Sequence, residues 1–461
     1  MLYLCGKKVS IMKSNESLCL SVRFREMLKA DLSHAFSACL PLELIEDKAR
    51  EATSKKSRER IFTSVNTLLT MLLSSIQEDK SLQNGLNVFK HVFESKSKAI
   101  RQMEEAQLEA EKIRDSQSVR KPGRPKKYKS RLPKSCSQPL SESTAGYATA
   151  RKNLDTGIIE AVYDHSTDFG GLDKESWFGM ETVISDGTYL QLQDTEDIRS
   201  QYVVKGSESS YPQALLQVLI RQGTGQVIEF ALGSRQTSEL SLVIPMIRKL
   251  KKSSLLLADD LYNSYYHFNL ILSRECHIIV PGKRERNYKT VRILNENDRI
   301  VEISKTTRPD YVSEEEWETV PKSLLLRRIT YRYPTKNGIE EAVLYTTVLD
   351  EHIKTADIIT KYTMRWDIEI SIRETKTLMD INVLRSKSRE MLYKELLIAL
   401  TAYNLIRRII AESADSVGFP PQEDIFQKCT PSGRPILLDK KGRVFFKWSP
   451  GRNGYPKETN R

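Results

Sequence analysis

Residues 359–377 read Ile-Thr-Lys-Tyr-Thr-Met-Arg-Trp-Asp-Ile-Glu-Ile-Ser-Ile-Arg-Glu-Thr-Lys-Thr, without Gly or Pro. As one regular α-helix turning about 100° per residue, the stretch brings Tyr362, Arg365, Glu369 and Lys376 within an arc of about 60°. An aromatic hydroxyl, two cations and a carboxylate on one narrow stripe suit a phosphodiester beside a metal ion. The carboxylate holds the metal and the cations hold phosphate oxygens. For an arbitrary Arg-x3-Glu pair the commoner reading is different: Glu369 pairs with Arg365 or Arg373 on a solvated helix. Spacing alone leaves both open.

Position for position, Tyr362-x2-Arg365-x3-Glu369-x6-Lys376 resembles the signature of the insertion-sequence-four family of bacterial transposases. The continuation Leu384-Arg385-Ser386-Lys387, then Glu395-Leu396 and Tyr403-Asn404-Leu405, also looks like that family. The resemblance implies an α/β protein with an RNase H-like catalytic core, a β-rich insertion and a helical N-terminal domain. It implies Asp186, Asp259 and Glu369 as catalytic residues holding two Mg2+ ions, with Mn2+ as a substitute. It further implies that Tyr362, Arg365, Lys376, Arg385 and Lys387 contact DNA. The expected partners are double-stranded DNA, as transposon ends and target, and a second copy of the chain in the DNA complex. The expected reaction is cut-and-paste movement with metal-dependent strand cleavage and transfer.

Two aspartates must then lie at strand ends upstream. Thr182-Val183-Ile184-Ser185 is a β-branched strand ending at Asp186-Gly187-Thr188, with more strand after Tyr189. An isolated Asp-Gly is most often a hairpin turn, so this assignment leans on the downstream helix. Asp194-Thr195 fits the family pattern and reads equally as a turn. Strands follow at 214–221 and 227–232 around Gly223-Thr224-Gly225, then a helix at 238–250 containing Pro245. Ser254 to Ala258 makes a buried strand that ends in Asp259-Asp260-Leu261-Tyr262, ahead of a helix with Tyr265, Phe268 and Leu272. The family usually has Asp-Arg-Gly-Tyr here. Register through Tyr262 makes Asp259 the ligand, while Asp260 adds a negative charge and Leu261 replaces a flexible Gly. A strand at 277–280 precedes Lys283-Arg284-Glu285-Arg286, which offers cations for phosphate. Alternating stretches at 299–303, 324–333 and 341–348 form the β-rich insertion, and 390–413 is a long covering helix.

With 461 residues the chain is long for one core, and its net charge of +12 suits a polyanionic partner without proving one. The six cysteines show no close pair of the kind that holds zinc or a redox disulfide. No apolar run reaches the roughly 18 to 20 residues needed to span a bilayer, so a cytoplasmic protein with no membrane partner is expected. The run Phe169-Gly170-Gly171 is not followed by Lys and Ser or Thr, which argues against a nucleotide cofactor.

The expected organisation is a helical DNA-binding domain (1–115), a basic linker (116–140), the first part of the core (141–286), the insertion (287–350), the second part of the core (351–415) and a basic tail (416–461). The N-terminal helices are read at 23–36, 43–52, 64–76 and 82–93, with Thr63 as an N-cap, and a charged helix at 98–116. Between Arg120 and Lys134 lie eight Lys or Arg residues and no acid. There, Lys121-Pro122-Gly123-Arg124-Pro125-Lys126-Lys127 resembles an AT-hook. Arg124 could follow the minor groove of A·T-rich DNA while Lys126 and Lys127 meet phosphates; a solvated linker reads the same way. Residues 143–154 read as a short basic helix. The tail after Thr430 interleaves eight Lys or Arg residues with Phe445, Phe446, Trp448 and Tyr455, fit either to drape over DNA or to remain solvated. The departures at Asp260 and Leu261 keep a rival open: a transposase-derived protein that binds A·T-rich DNA and no longer cuts.

Overall fold

The computed structural model describes residues 3–4, 7–8, 40, 42–52, 61–77, 79–90, 106, 108–110, 112–113, 143–171, 176–202, 211–283, 286–335, 338–366, 381–416, 437–438 and 444–445. The chain divides into two units, Met1–Asp31 with Pro421–Arg461, and Leu32–Pro420. In the first, Tyr3–Leu4 pairs antiparallel with Lys7–Lys8, and Leu437–Leu438 with Val444–Phe445. The AT-hook-like linker, the helix read at 23–36 and most of the tail lie outside the described residues.

The second unit begins with helices α1 (Leu42–Ala52), α2 (Ser64–Ser75), α3 (residues 82–90), α4 (Ala145–Asn153) and α5 (Thr156–Ser166). Thr63 caps α2 as expected, its hydroxyl accepting from the Asn66 amide at 3.1 Å. Of the charged helix read at 98–116, residues 106, 108–110 and 112–113 are described, and they are helical. Sequence reading missed α5, although Asp155 caps it at 2.9 Å and Ile158, Ile159, Val162 and Tyr163 keep helical spacing on its buried face. Tyr147 of α4, almost wholly buried, stacks on Phe62, which in turn meets Phe89 of α3.

The central sheet has ten strands: β1 (Ser176–Trp177), β2 (Met180–Gln191), β3 (Gln213–Arg221), β4 (Val227–Ser234), β5 (Ser254–Leu257), β6 (His277–Pro281), β7 (Lys289–Asn295), β8 (Asp298–Ser304), β9 (Ser323–Thr335) and β10 (Gly338–Thr346). Their order is β4-β3-β2-β5-β6-β10-β9-β8-β7, with β1 paired to β2. β2, β3 and β4 form an antiparallel meander; β5 then lies parallel to β2 and β6 parallel to β5. α6 (Glu196–Tyr202) follows β2 and α9 (Glu314–Thr319) precedes β9; the crossovers run through α7 (Glu239–Arg248) and α8 (Tyr265–Ser273). This meander followed by two parallel strands is the RNase H-like arrangement.

Two differences from the sequence reading bear on the site. The Asp186-Gly187 pair is no turn: β2 passes straight through it, paired to β3 from Val183↔Arg221 to Gln191↔Gln213. The insertion continues the core sheet, with β10 antiparallel to β6 through Leu344↔Pro281, Tyr345↔Val280 and Thr346↔Ile279. An unpaired β6 edge would leave a row of backbone donors and acceptors unmet, and β10 satisfies them.

Helices cover the two faces. The core between the sheet and α7 and α8 gathers Val183, Leu219, Val243, Leu256, Tyr262 and Phe268. α11 (Arg389–Ser416) packs with α5 and α2. Asn404 of α11 brackets the start of β4, accepting from the Val227 amide and donating to its carbonyl at 2.9 Å each. Tyr403 donates to the Gly225 carbonyl at 3.1 Å and Arg407 to that of Thr224 at 2.7 Å. Thus the Tyr-Asn pair of the motif locks a helix onto the β3–β4 turn.

Candidate active site

Asp186 lies on β2, and Asp259 follows β5 after Ala258. Because Ile184 pairs with Leu257 and each aspartate sits two residues further on, the parallel register brings Asp186 and Asp259 to the same end of two adjacent strands. Asp186 accepts from the Gly187 amide at 2.9 Å. Asp259 is exposed and caps a 3-10 turn, Asp260–Tyr262, accepting from the Leu261 amide at 2.9 Å.

Asp259 and Asp260 differ in their partners. Asp260 turns away and accepts from the Lys283 amide at 3.0 Å, pinning the loop after β6. Leu261 is 46% exposed and is not among the residues with positive φ, so this turn does not require glycine. Arg286, expected to offer a phosphate contact, is packed instead: its guanidinium sits 5.6 Å from the Phe268 ring centroid and burial lowers its pKa. Arg284 and Glu285 lie outside the described residues.

Tyr362 and Arg365 are placed by α10 (Thr355–Thr363) and the 3-10 turn Met364–Trp366 that continues it. The regular α-helix expected over 359–377 therefore tightens at Met364, which alters the arc worked out for α-helical geometry. Glu369 and Lys376 lie outside the described residues. Tyr362 is 8% exposed. Burial pushes its hydroxyl up to about 12; its hydrogen bond to Arg365 pulls the other way, and Tyr331 and Asp259 push upward. The hydroxyl is thus protonated at neutral pH and close enough to Asp259 to feel its charge.

The start of α10 is fixed by a buried ion pair in the insertion. Arg327 donates to Asp298 through Nε at 2.9 and 3.0 Å and through Nη2 at 2.6 Å, while its Nη1 reaches the carbonyls of Asp350 and Ile353, each at 2.9 Å. The Thr355 hydroxyl donates to the same Asp298 carboxylate at 2.6 Å. The insertion thereby aims the helix that carries Tyr362.

The Leu384-Arg385-Ser386-Lys387 segment runs beside the end of the Asp186 strand. Gln191 donates to the Asn382 carbonyl at 2.8 Å and accepts from the Leu384 amide at 3.0 Å. The Glu395 carboxylate takes the amides of Arg385 and Ser386, and the Thr195 hydroxyl donates to the Lys387 carbonyl at 2.9 Å. Arg385 and Lys387 side chains are exposed. Asp194 is ion-paired with Arg199. Arg124, Lys126 and Lys127 lie outside the described residues.

Two residues beside the aspartates escaped the sequence reading. Glu239, the first residue of α7, is half-buried; burial raises its pKa, and the charges of Asp259 and Asp186 raise it further. Gln217, wholly buried on β3, is the cross-strand partner of Gly187. The polar Gln217 inside the apolar run 214–220 was the available signal. Paired carboxylates are hard oxygen donors that suit Mg2+ or Mn2+. Among the described residues no group of three His, Cys, Asp or Glu is close enough to hold a metal.

Residues 177–405 match the family model described as "Transposase DDE domain". Among curated proteins, the chain is similar to "Transposase InsG for insertion sequence element IS4" of Escherichia coli (strain K12), 24% identical over 314 residues, covering 66% of this chain and 68% of that protein. Among solved structures it is similar to piggyBac transposase in a cryo-EM synaptic complex with hairpin DNA. That match is 11% identical with a TM-score of 0.33, and covers 60% of this chain and 56% of the other. No helix among the described residues is long and apolar enough to cross a membrane.

Proposed function

We propose that the chain is a DDE transposase of the insertion-sequence-four type, which binds the terminal inverted repeats of a mobile DNA element and catalyses cut-and-paste transposition by metal-dependent strand cleavage and transfer. The observation that supports this reading is the parallel pairing of β2 with β5, which brings Asp186 and Asp259 to the same end of adjacent strands. Asp186, Asp259 and Glu369 would hold two divalent ions, Mg2+ or Mn2+. Such a pair, when bound, activates the attacking oxygen and stabilises the leaving one.

The protein's own groups do the rest. Tyr362, whose hydroxyl burial keeps protonated well beyond neutral pH, donates a hydrogen bond to a phosphate oxygen, and Arg365 beside it supplies charge. Lys376 grips the same backbone. Arg385 and Lys387, on a loop whose backbone Glu395 and Thr195 hold, reach phosphates further along the duplex. Arg124, Lys126 and Lys127 follow A·T-rich DNA outside the core. Two copies of the chain bring two ends together beside the nucleoid.

The rival, a DNA binder that no longer cuts, rests on Asp260 and Leu261. Against it stand the commitment of Asp260 to the Lys283 amide and the exposure of Leu261, which leave Asp259 open. The test is Glu369→Ala in a nicking assay on a cognate end: cleavage is expected to vanish while end binding persists. Undiminished cleavage by this variant refutes the assignment, and a wild type that binds ends without metal-dependent nicking supports the rival.

A further inference from the structure

Gln217 is wholly buried among apolar residues of β3, where an amide is costly unless its hydrogen bonds are met. Its Nε2 donates to the Tyr262 hydroxyl at 2.7 Å and to the Ser185 hydroxyl at 3.0 Å, and those two hydroxyls are 2.8 Å apart. Ser185 directly precedes Asp186. Tyr262, also almost wholly buried, ends the 3-10 turn that Asp259 caps. One amide thus joins the strand of one aspartate to the turn of the other, across three strands of the sheet.

The remaining atom of the amide points to the same place. Gln217 Oε1 is buried with no hydrogen-bond partner. It lies 2.7 Å from where a Cβ on Gly187 would stand, and the Glu239 carboxyl lies 3.0 Å from that point. Only the missing side chain of Gly187 lets the amide oxygen and the Glu239 carboxyl converge beside Asp186.

We propose that Gln217 is a positioning residue of the metal centre: through Ser185 and Tyr262 it fixes Asp186 and Asp259 in the register that a divalent cation requires, with Glu239 facing its free oxygen. Two like charges held side by side repel until a cation arrives, so a network that pre-pays their ordering strengthens cation binding. The inference rests on the reading of Asp186 and Asp259 as ligands, and concerns affinity for metal rather than grip on DNA.

The test uses the full chain with Mn2+ alone, bound metal being counted by electron paramagnetic resonance of the free ion. Gln217→Leu is expected to weaken Mn2+ binding by about 10- to 100-fold, the usual cost of losing an outer partner of a ligand. DNA affinity is expected to stay unchanged, and nicking to recover as Mn2+ is raised. Exchanging the two groups, Gln217→Glu with Glu239→Gln, is expected to restore much of the affinity. Tyr403→Phe serves as the structural control, because it removes a buried hydrogen bond to Gly225 with no link to the aspartates. A folded Gln217→Leu protein with wild-type Mn2+ affinity overturns the proposal, as does an equal loss in Tyr403→Phe. Should Gln217→Leu fail to fold, Ser185→Ala and Tyr262→Phe each cut one arm, and unaltered Mn2+ affinity in both overturns it equally. If Asp186→Asn leaves Mn2+ binding unchanged, the ligand assignment itself is wrong, a failure distinct from that of Gln217.

Discussion

The sharpest structural prediction concerns Asp298, a wholly buried carboxylate that meets Arg327 and the Thr355 hydroxyl. Asp298→Asn keeps the shape and removes the charge. It leaves the Arg327 guanidinium, 3% exposed, buried without its counter-charge, and turns one accepting oxygen into a donor facing Nε, or facing Nη2 and Thr355. Breaking a buried pair from one side costs about 3–5 kcal/mol. Thr355 begins α10, so the loss should loosen the helix that carries Tyr362. Hydrogen exchange read by mass spectrometry over 355–363 is the assay. At about 1.4 kcal/mol per decade, amides that open through this contact should exchange faster by roughly two to three and a half decades. Nicking should fall with the loosened helix. If exchange over 355–363 changes less than threefold, the ion pair does not hold α10 and the insertion is not what aims it.

Burial lowers the pKa of His267 from 6.5 to about 4. The unfolded chain therefore binds more protons between those values, so this residue's contribution is complete above pH 6.5 and is lost as pH falls toward 4. Urea unfolding at pH 7 and pH 5 should differ by about 2 kcal/mol from this side chain, and His267→Gln should remove that part of the slope. Glu395→Ala takes away the acceptor for the Arg385 and Ser386 amides. It should weaken end binding about tenfold in a gel-shift titration, by about 1.4 kcal/mol. Gly225 has φ +70°, and a Cβ there would stand 2.7 Å from Arg407 Nη2. Gly225→Ala should cost about 1–3 kcal/mol in urea unfolding, and a loss below 0.5 kcal/mol would show that the β3–β4 turn relaxes freely.

The sequence by itself determined the local elements and the chemical roles on offer. The all-apolar Ser254–Leu257 run, the β-branched stretch before Asp186 and the Gly223-Thr224-Gly225 turn became β5, β2 and the β3–β4 link, because apolar pattern and turn chemistry act over a few residues. The motif containing Tyr362 and Arg365 was likewise legible, since their hydrogen bond is a short-range matter. Strand pairing over 70 residues was not. Only the β2–β5 pairing brings Asp186 and Asp259 to the same end of adjacent strands, and only the fold shows that Asp260 accepts from the Lys283 amide. The Asp-Gly pair looked like a turn because its partner strand is distant in sequence. Gln217 and Asp298 read as stray polar residues in strands. Each acquires a role from groups 29 to 57 residues away, contacts that no local pattern encodes.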